Sequence, residues 1–371
     1  MKRLPRYLLL PVILGVLQFP AAQAYGPLGH EIVGAIADER LANTPTATKI
    51  HALLGRLTLE KAAVMADEIR GWDKKGVDQP RSFHISGPRY IDRQLRDFWR
   101  ANPPTSLDPG TPSHHWFHYT DVPVVPPQRY GDSSAGRSKW DIVHMIPFCI
   151  QVLQGQVSEQ NERKITKPVA LILLAHYVGD IHQPLHVGAE YFDRQGRVVD
   201  PDKDRSALGD EGGNTVTLEL SDEPPRRRGI HKKKLHGFWD NDTVNALFPS
   251  VPGTLRKKEF LRGIEPLKRQ LIHQMASQEP TNWRVPANLN VNNCAEAWAD
   301  EILPVAREAY ARLEFRDVHP QQHEGRIIAA GKAVKKIDAG HSLYRSWSAD
   351  VVRDELHKAG WRLADLLQKI L

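Results

Sequence analysis

The sequence predicts an all-α, single-domain fold, mostly helical, with one small β-hairpin and long loop insertions. Three observations carry this. Apolar residues recur at helical spacing in several long segments. Strand-like alternation is confined to Thr215 to Leu220, just after a Gly-Gly turn. Pro, Gly and charged residues gather in three segments, Lys74 to Ser113, Asp193 to Gly212 and Phe315 to His341, which helices flank, so they read as surface insertions and not as domain linkers. The chain has 371 residues, enough for one large core, and its 41% hydrophobic and 25% charged content excludes disordered, collagenous and disulfide-scaffold classes.

The elements follow in order. Lys2, Arg3 and Arg6 precede an apolar run from Leu8 to Phe19, too short to span a membrane, and Ala22 and Ala24 complete an A-x-A site. Residues 1–24 therefore read as a signal peptide, with Tyr25 the first residue of a single domain over 25–371. The expectation is an exported, periplasmic or secreted monomer without stable membrane association. Half of the formal charge of +6 lies in that leader, so bulk charge is poor evidence for a polyanionic partner. Gly29 to Leu41 carries a helical apolar pattern. Lys167 to Val178 is a continuously apolar helix and suits a buried position. Ala295 to Leu313 repeats the pattern. Ser348 reads as the N-cap of a last helix ending near Ile370, with Val352, Leu356, Ala359, Leu363, Leu366 and Ile370 on one face. The two cysteines, Cys149 and Cys294, admit one disulfide or two separate buried thiols.

Seventeen histidines are the louder chemical signal. His176 and Asp180 stand one helical turn apart on the apolar helix, and Pro184 should end that helix and turn His186 back toward Asp180. Buried polar groups need partners, so this pair is either a metal site or a hydrogen-bonded core pair. His236 and Asp240 repeat the spacing. Two such pairs plus His186 shift the balance toward a multi-metal site, and mixed His and carboxylate donors suit zinc. His118 with Asp121, Asp67 with Arg70, and His30 add further donors that are individually anonymous.

Their order is not anonymous. Tyr-Gly-Pro-Leu-Gly-His, Ala-Asp-x-x-Arg, His-Tyr-x-Asp, His-x-x-Gly-Asp-x-x-Gln-Pro-Leu-His, Gly-Gly-Asn and Leu-His-x-x-Trp-Asp follow one another from Tyr25 onward. This set resembles the zinc-dependent S1/P1 single-strand nucleases, which share an all-helical fold with the trinuclear-zinc phospholipases C. The resemblance implies three zinc ions. Asp67, His118, His176 and Asp180 would hold the first, and His186, His236 and Asp240 the second. His30, Asp180 as a bridge, and the freed amine and carbonyl of Tyr25 would hold the third. Asp121 would orient the attacking water, and Arg70 would stabilise charge at phosphorus. Tyr119 would stack a base, and Asn214 would help line the nucleotide pocket. The implied substrates are single-stranded RNA or DNA, cut to 5′-phosphorylated products, and 3′-nucleotides. A phospholipase C on the same metal core and a non-catalytic zinc- or polyanion-binding protein are the alternatives. The basic run Arg226 to Arg228 and Lys232 to Lys234 reads equally as a phosphate track or a solvated loop. The other twelve histidines, His114, His115, His182 and His323 among them, read as structural or surface residues.

Overall fold

A computed structural model describes residues 25–74, 76–79, 82–104, 111–220, 233–249, 257–286, 288–336 and 343–371. The leader, most of the basic run and His231 lie outside the described residues. The fold is built around the apolar helix, which runs Lys167–Asp180. Thr166 caps it by accepting a hydrogen bond from the Val169 N–H, and Pro168 sits in its first turn, where no donor is missed. Every residue from Pro168 to Asp180 is buried. Helices Pro27–Leu41, Arg89–Ala101, Ile142–Leu153 and Tyr344–Ile370 pack against it. A helix apolar on all sides is stable only when so enclosed. Among the described residues no helix is long and apolar enough to cross a membrane.

Three expectations need correction. Lys74 to Ser113 contains the helix Arg89–Ala101, whose Ile91, Leu95 and Phe98 are buried at spacings of four and three. Its wealth of Arg and Asp hid that narrow apolar stripe. The last helix begins at Tyr344, not Ser348, and the Ser348 hydroxyl donates back to the Arg345 carbonyl at 3.1 Å. Phe315 to His341 is largely sheet. Leu313–His323 and Arg326–Lys335 form a long antiparallel hairpin.

The sheet order is Lys233–Lys234, Val216–Glu219, Arg326–Lys335, Leu313–His323. Val216–Glu219 thus confirms the strand expected after Gly-Gly, but it runs parallel to Arg326–Lys335 as well as antiparallel to Lys233–Lys234. Pro320 demotes a strand in sequence, yet it is tolerated here because Leu313–His323 is the edge strand. Glu324 and Gly325 make the turn with φ of 45° and 79°, a two-residue hairpin turn without the usual Asn-Gly signature. Cys149 and Cys294 are separate, free and buried, so the disulfide alternative falls.

Candidate metal centre and substrate cavity

The apolar helix delivers His176 and Asp180 at its C-terminal end, with His176 Nε2 3.1 Å from Asp180 Oδ2. A 3₁₀ turn, His114–His118, brings His118 to the same place, its Nδ1 3.0 Å from both His176 Nε2 and Asp180 Oδ2. The first helix supplies His30, which lies 3.2 Å from Asp180 Oδ1 and stacks on His176 with ring centroids 3.8 Å apart. Asp67, from the short helix Met65–Glu68, reaches within 3.9 Å of His176 Nε2. Asp180 therefore offers one oxygen to His30 and the other to His118 and His176.

A second group adjoins the first. His186 Nε2 and His236 Nε2 are 3.1 Å apart, and Asp240 stands 3.8 Å from His186 and 3.5 Å from His236. His186 is tied to the first group by short parallel pairing of Val122–Pro123 with Gly188–Ala189, and by the Thr120 N–H donating to its carbonyl at 2.8 Å. The expected helical turn under His236 and Asp240 is partly π-helical, over Phe238–Asp242. Such a widened turn is common at functional sites.

The donor chemistry fits metal. His176 Nδ1 donates to Ala63 O at 2.6 Å, His186 Nδ1 to His118 O at 2.8 Å, and His236 Nδ1 to Gly212 O at 2.8 Å. Each bond orients a ring and leaves Nε2 as the ligating atom. Both His30 nitrogens, both Asp67 oxygens, Asp180 Oδ1 and Asp240 Oδ2 are buried without a hydrogen bond. Buried polar atoms are rarely left so without a ligand to satisfy them. Burial lowers His118 and His236 to about 3, keeping both imidazoles neutral. Burial, then the neighbouring Asp67 and Asp180, drives the Asp240 carboxyl well above its usual range. Three buried carboxylates in one place call for cations.

Two glycines make the geometry possible. A Cβ on Gly179 would lie 2.8 Å from His30 Nδ1. Gly212, at φ +58°, turns its carbonyl to His236, and a Cβ there would lie 2.2 Å from the Leu185 carbonyl oxygen. Tyr25 is buried, its hydroxyl donating to His182 O at 2.8 Å, and the next residue's N–H donates to Asp240 O at 2.8 Å. The Tyr25 main chain is thereby anchored beside the second group. Arg70 Nη1 lies 3.7 Å from Asp67 Oδ1 with its side chain mostly buried.

Asp73, His114 and His115 form a further compact donor group. Its bonding differs. Asp73 Oδ1 receives the Trp99 indole N–H at 2.8 Å and faces His114 Nε2 at 3.2 Å, while Oδ2 faces His115 Nε2 at 2.8 Å. Here one carboxylate oxygen is already taken by a neutral donor, the Trp99 indole, so less of it is left for a metal. The group is a hydrogen-bonded brace between the turn carrying Arg70 and the turn carrying His118.

Beside the metal donors lies a cavity of about 380 Å³ lined by Trp116, Tyr119, Asp121, Tyr191, Glu211 and Arg326 among others. Tyr119 and Asp121 follow His118 directly. The Asp121 N–H donates to Gly136 O at 3.0 Å, and its carbonyl accepts from Tyr191 at 2.9 Å, which fixes the main chain. Burial, then Glu211 and Asp210, push the Asp121 carboxyl up to about 8. Asn214 donates to Glu211 O at 2.9 Å and closes the Gly-Gly turn; Glu211, not Asn214, is in the cavity wall. Sequence reasoning did not find Trp116, Tyr191, Glu211 or Arg326. Glu211 adjoins the Gly-Gly-Asn motif and was findable there. Arg326 lay in a segment read as loop.

Residues 25–371 match the family model S1/P1 Nuclease. Similar curated proteins include Endonuclease 4 of Arabidopsis thaliana, 26% identical over 57% of this chain and 63% of that protein. Endonuclease 1 of the same plant is 25% identical over 54% of this chain and 61% of its own length. The chain thus spans about three fifths of the length of these relatives. With the family match covering all of the described fold, the chain belongs to the S1/P1 nuclease family.

Proposed function

We propose that the protein is an exported, zinc-dependent phosphodiesterase that cuts single-stranded RNA or DNA to 5′-phosphorylated products and removes phosphate from 3′-nucleotides. The observation that carries this reading is the pair of adjoining buried donor groups: His30, Asp67, His118 and His176 about Asp180, and His186, His236 and Asp240 beside them. Three bound zinc ions would supply Lewis acidity and a water of lowered pKa. The chain's own residues do the rest. Asp180 spans the donor groups, so it fixes their separation. Arg70 presents a fixed positive charge beside Asp67, where charge grows on phosphorus oxygens during in-line attack. Tyr119 offers a face on which any base can stack, and a stacked base must leave a duplex first, which supports a single-strand preference. Asp121 lines the Tyr119 cavity with Glu211 and Arg326 as charged neighbours. That placement supports a role toward the bound nucleotide better than the water-orienting role the resemblance implies. Cleavage after Ala24 would free the Tyr25 amine next to the centre.

The test is direct. Correctly processed protein should carry three zinc ions, degrade single-stranded RNA or DNA faster than duplex, and release phosphate from 3′-nucleotides. Hydrolysis of phosphatidylcholine alone would transfer the assignment to a phospholipase C. Metal content without any hydrolysis would leave a zinc-binding protein. An extension before Tyr25 should remove one ion and most activity.

A further inference from the structure

The hairpin Leu313–His323/Arg326–Lys335 does more than extend the sheet. Its turn is gripped by one carboxylate: Glu211 Oε2 holds His323 Nδ1 at 2.8 Å, and Glu211 Oε1 accepts from Arg326 Nη2. One residue from each strand is thereby fixed to the cavity wall. Glu211 is nearly buried, whereas the Arg326 side chain is half exposed and lines the cavity. The contact with Glu211 uses Nη2, and a guanidinium has five N–H donors in a rigid fork.

We propose that Arg326 reads the base seated against Tyr119 and selects guanine. This rests on the reading of the Tyr119 cavity as the seat of a nucleobase. The wall carries three carboxyl groups, Asp121, Asp141 and Glu211, against two guanidinium groups, Arg137 and Arg326, so a phosphate is a poor occupant. A base is a good one, because its edge carries both acceptors and donors. Guanine offers two acceptors, O6 and N7, to a bidentate arginine, and its N1–H and N2–H form a donor pair that favours the ionised form of the Asp121 carboxyl on binding. Adenine lacks the O6 acceptor, and cytosine and uracil lack the N7 partner. Arg326 is thus a specificity-determining residue brought from far along the sequence to a site that the His-Tyr-x-Asp motif begins.

Nucleoside binding tests this without chemistry. Guanosine, adenosine, cytidine and uridine are titrated into zinc-loaded protein and followed by tryptophan fluorescence, with Trp116 in the cavity wall. Hydrolysis of the four 3′-nucleotides is measured alongside. Guanosine should bind about tenfold more tightly than the others, as one bidentate contact allows. Arg326→Lys keeps a positive charge beside Glu211 but loses the fork, and it should erase the guanosine margin. Arg326→Ala should do the same. Equal binding of all four nucleosides, a margin that survives Arg326→Lys, or an equal fall for all four nucleosides would each overturn the proposal. A guanosine margin without any 3′-nucleotide hydrolysis would defeat the catalytic reading while the base-reading assignment stands. Hydrolysis of all four with no margin would defeat the assignment alone.

Discussion

Asp180 shows how much one residue can be asked to do. It is fully buried, and its oxygens separate toward His30 on one side and His118 and His176 on the other. Its burial among polar partners was legible because an ionisable pair one turn apart on an otherwise apolar helix must find either a metal or hydrogen-bonding neighbours. Asp121 was only half legible. Its place beside Tyr119 follows from adjacency to His118, but the charges facing it come from Glu211, which only the neighbouring Gly-Gly-Asn motif hints at, and from Arg326, which no local pattern announces. Asp121→Asn tests the distinction. The expected outcome is a raised KM for nucleotides, with kcat lowered less than about threefold; loss of a group positioning the attacking water would cost about 100-fold or more in kcat. Steady-state kinetics on 3′-nucleotides measure both.

Among the elements, the buried helix and the strand after Gly-Gly were read from periodicity, whereas Arg89–Ala101 and the long hairpin were not. The helix was masked by charge at positions that face water. The hairpin was masked because its order comes from register with a distant strand and from an edge that tolerates Pro320. Gly179 gives an element-level prediction. Ala in place of Gly inside a helix usually stabilises by about 1 kcal/mol. Here the new methyl must displace His30, so Gly179→Ala should bind less zinc than the parent and gain no stability, as metal analysis and thermal unfolding would show.

The Asp73 brace gives another. Burial alone would raise the Asp73 carboxyl, but bonds from His114, His115 and Trp99 hold it far below the usual range. A carboxyl depressed in the folded state contributes stability fully above its unfolded pKa of about 3.9 and loses it as pH falls toward the folded value. Wild-type stability should therefore drop as pH falls below about 4. Asp73→Asn should be weaker by about 1–3 kcal/mol at pH 7 and show a shallower acid slope. Denaturant unfolding from pH 3 to 7 measures both, and an unchanged slope would remove Asp73 from the account.

At the scale of the molecule, the metal centre and the core are one structure. The donors lie on the first helix, the short helix Met65–Glu68, two 3₁₀ turns ending at His118 and His186, the central helix, and the turn Leu235–Gly237 with its π-helical continuation, and all are buried. Chelation should therefore abolish activity and lower stability together. Restoring zinc at about 1,000 times its Kd should return about 4 kcal/mol, read as a rise in Tm. Simple loss of activity with an unmoved Tm would show that the ions sit on the fold without supporting it.

His30 stacked on His176 has a consequence for the order of events in folding. These rings belong to helices that meet only when the first helix docks against the middle of the chain. Donors so distant in sequence are not assembled in an unfolded chain, so ion capture follows topology and does not nucleate it. Bound ions would then act as a latch, slowing the opening of a finished molecule and leaving the rate of its making unchanged.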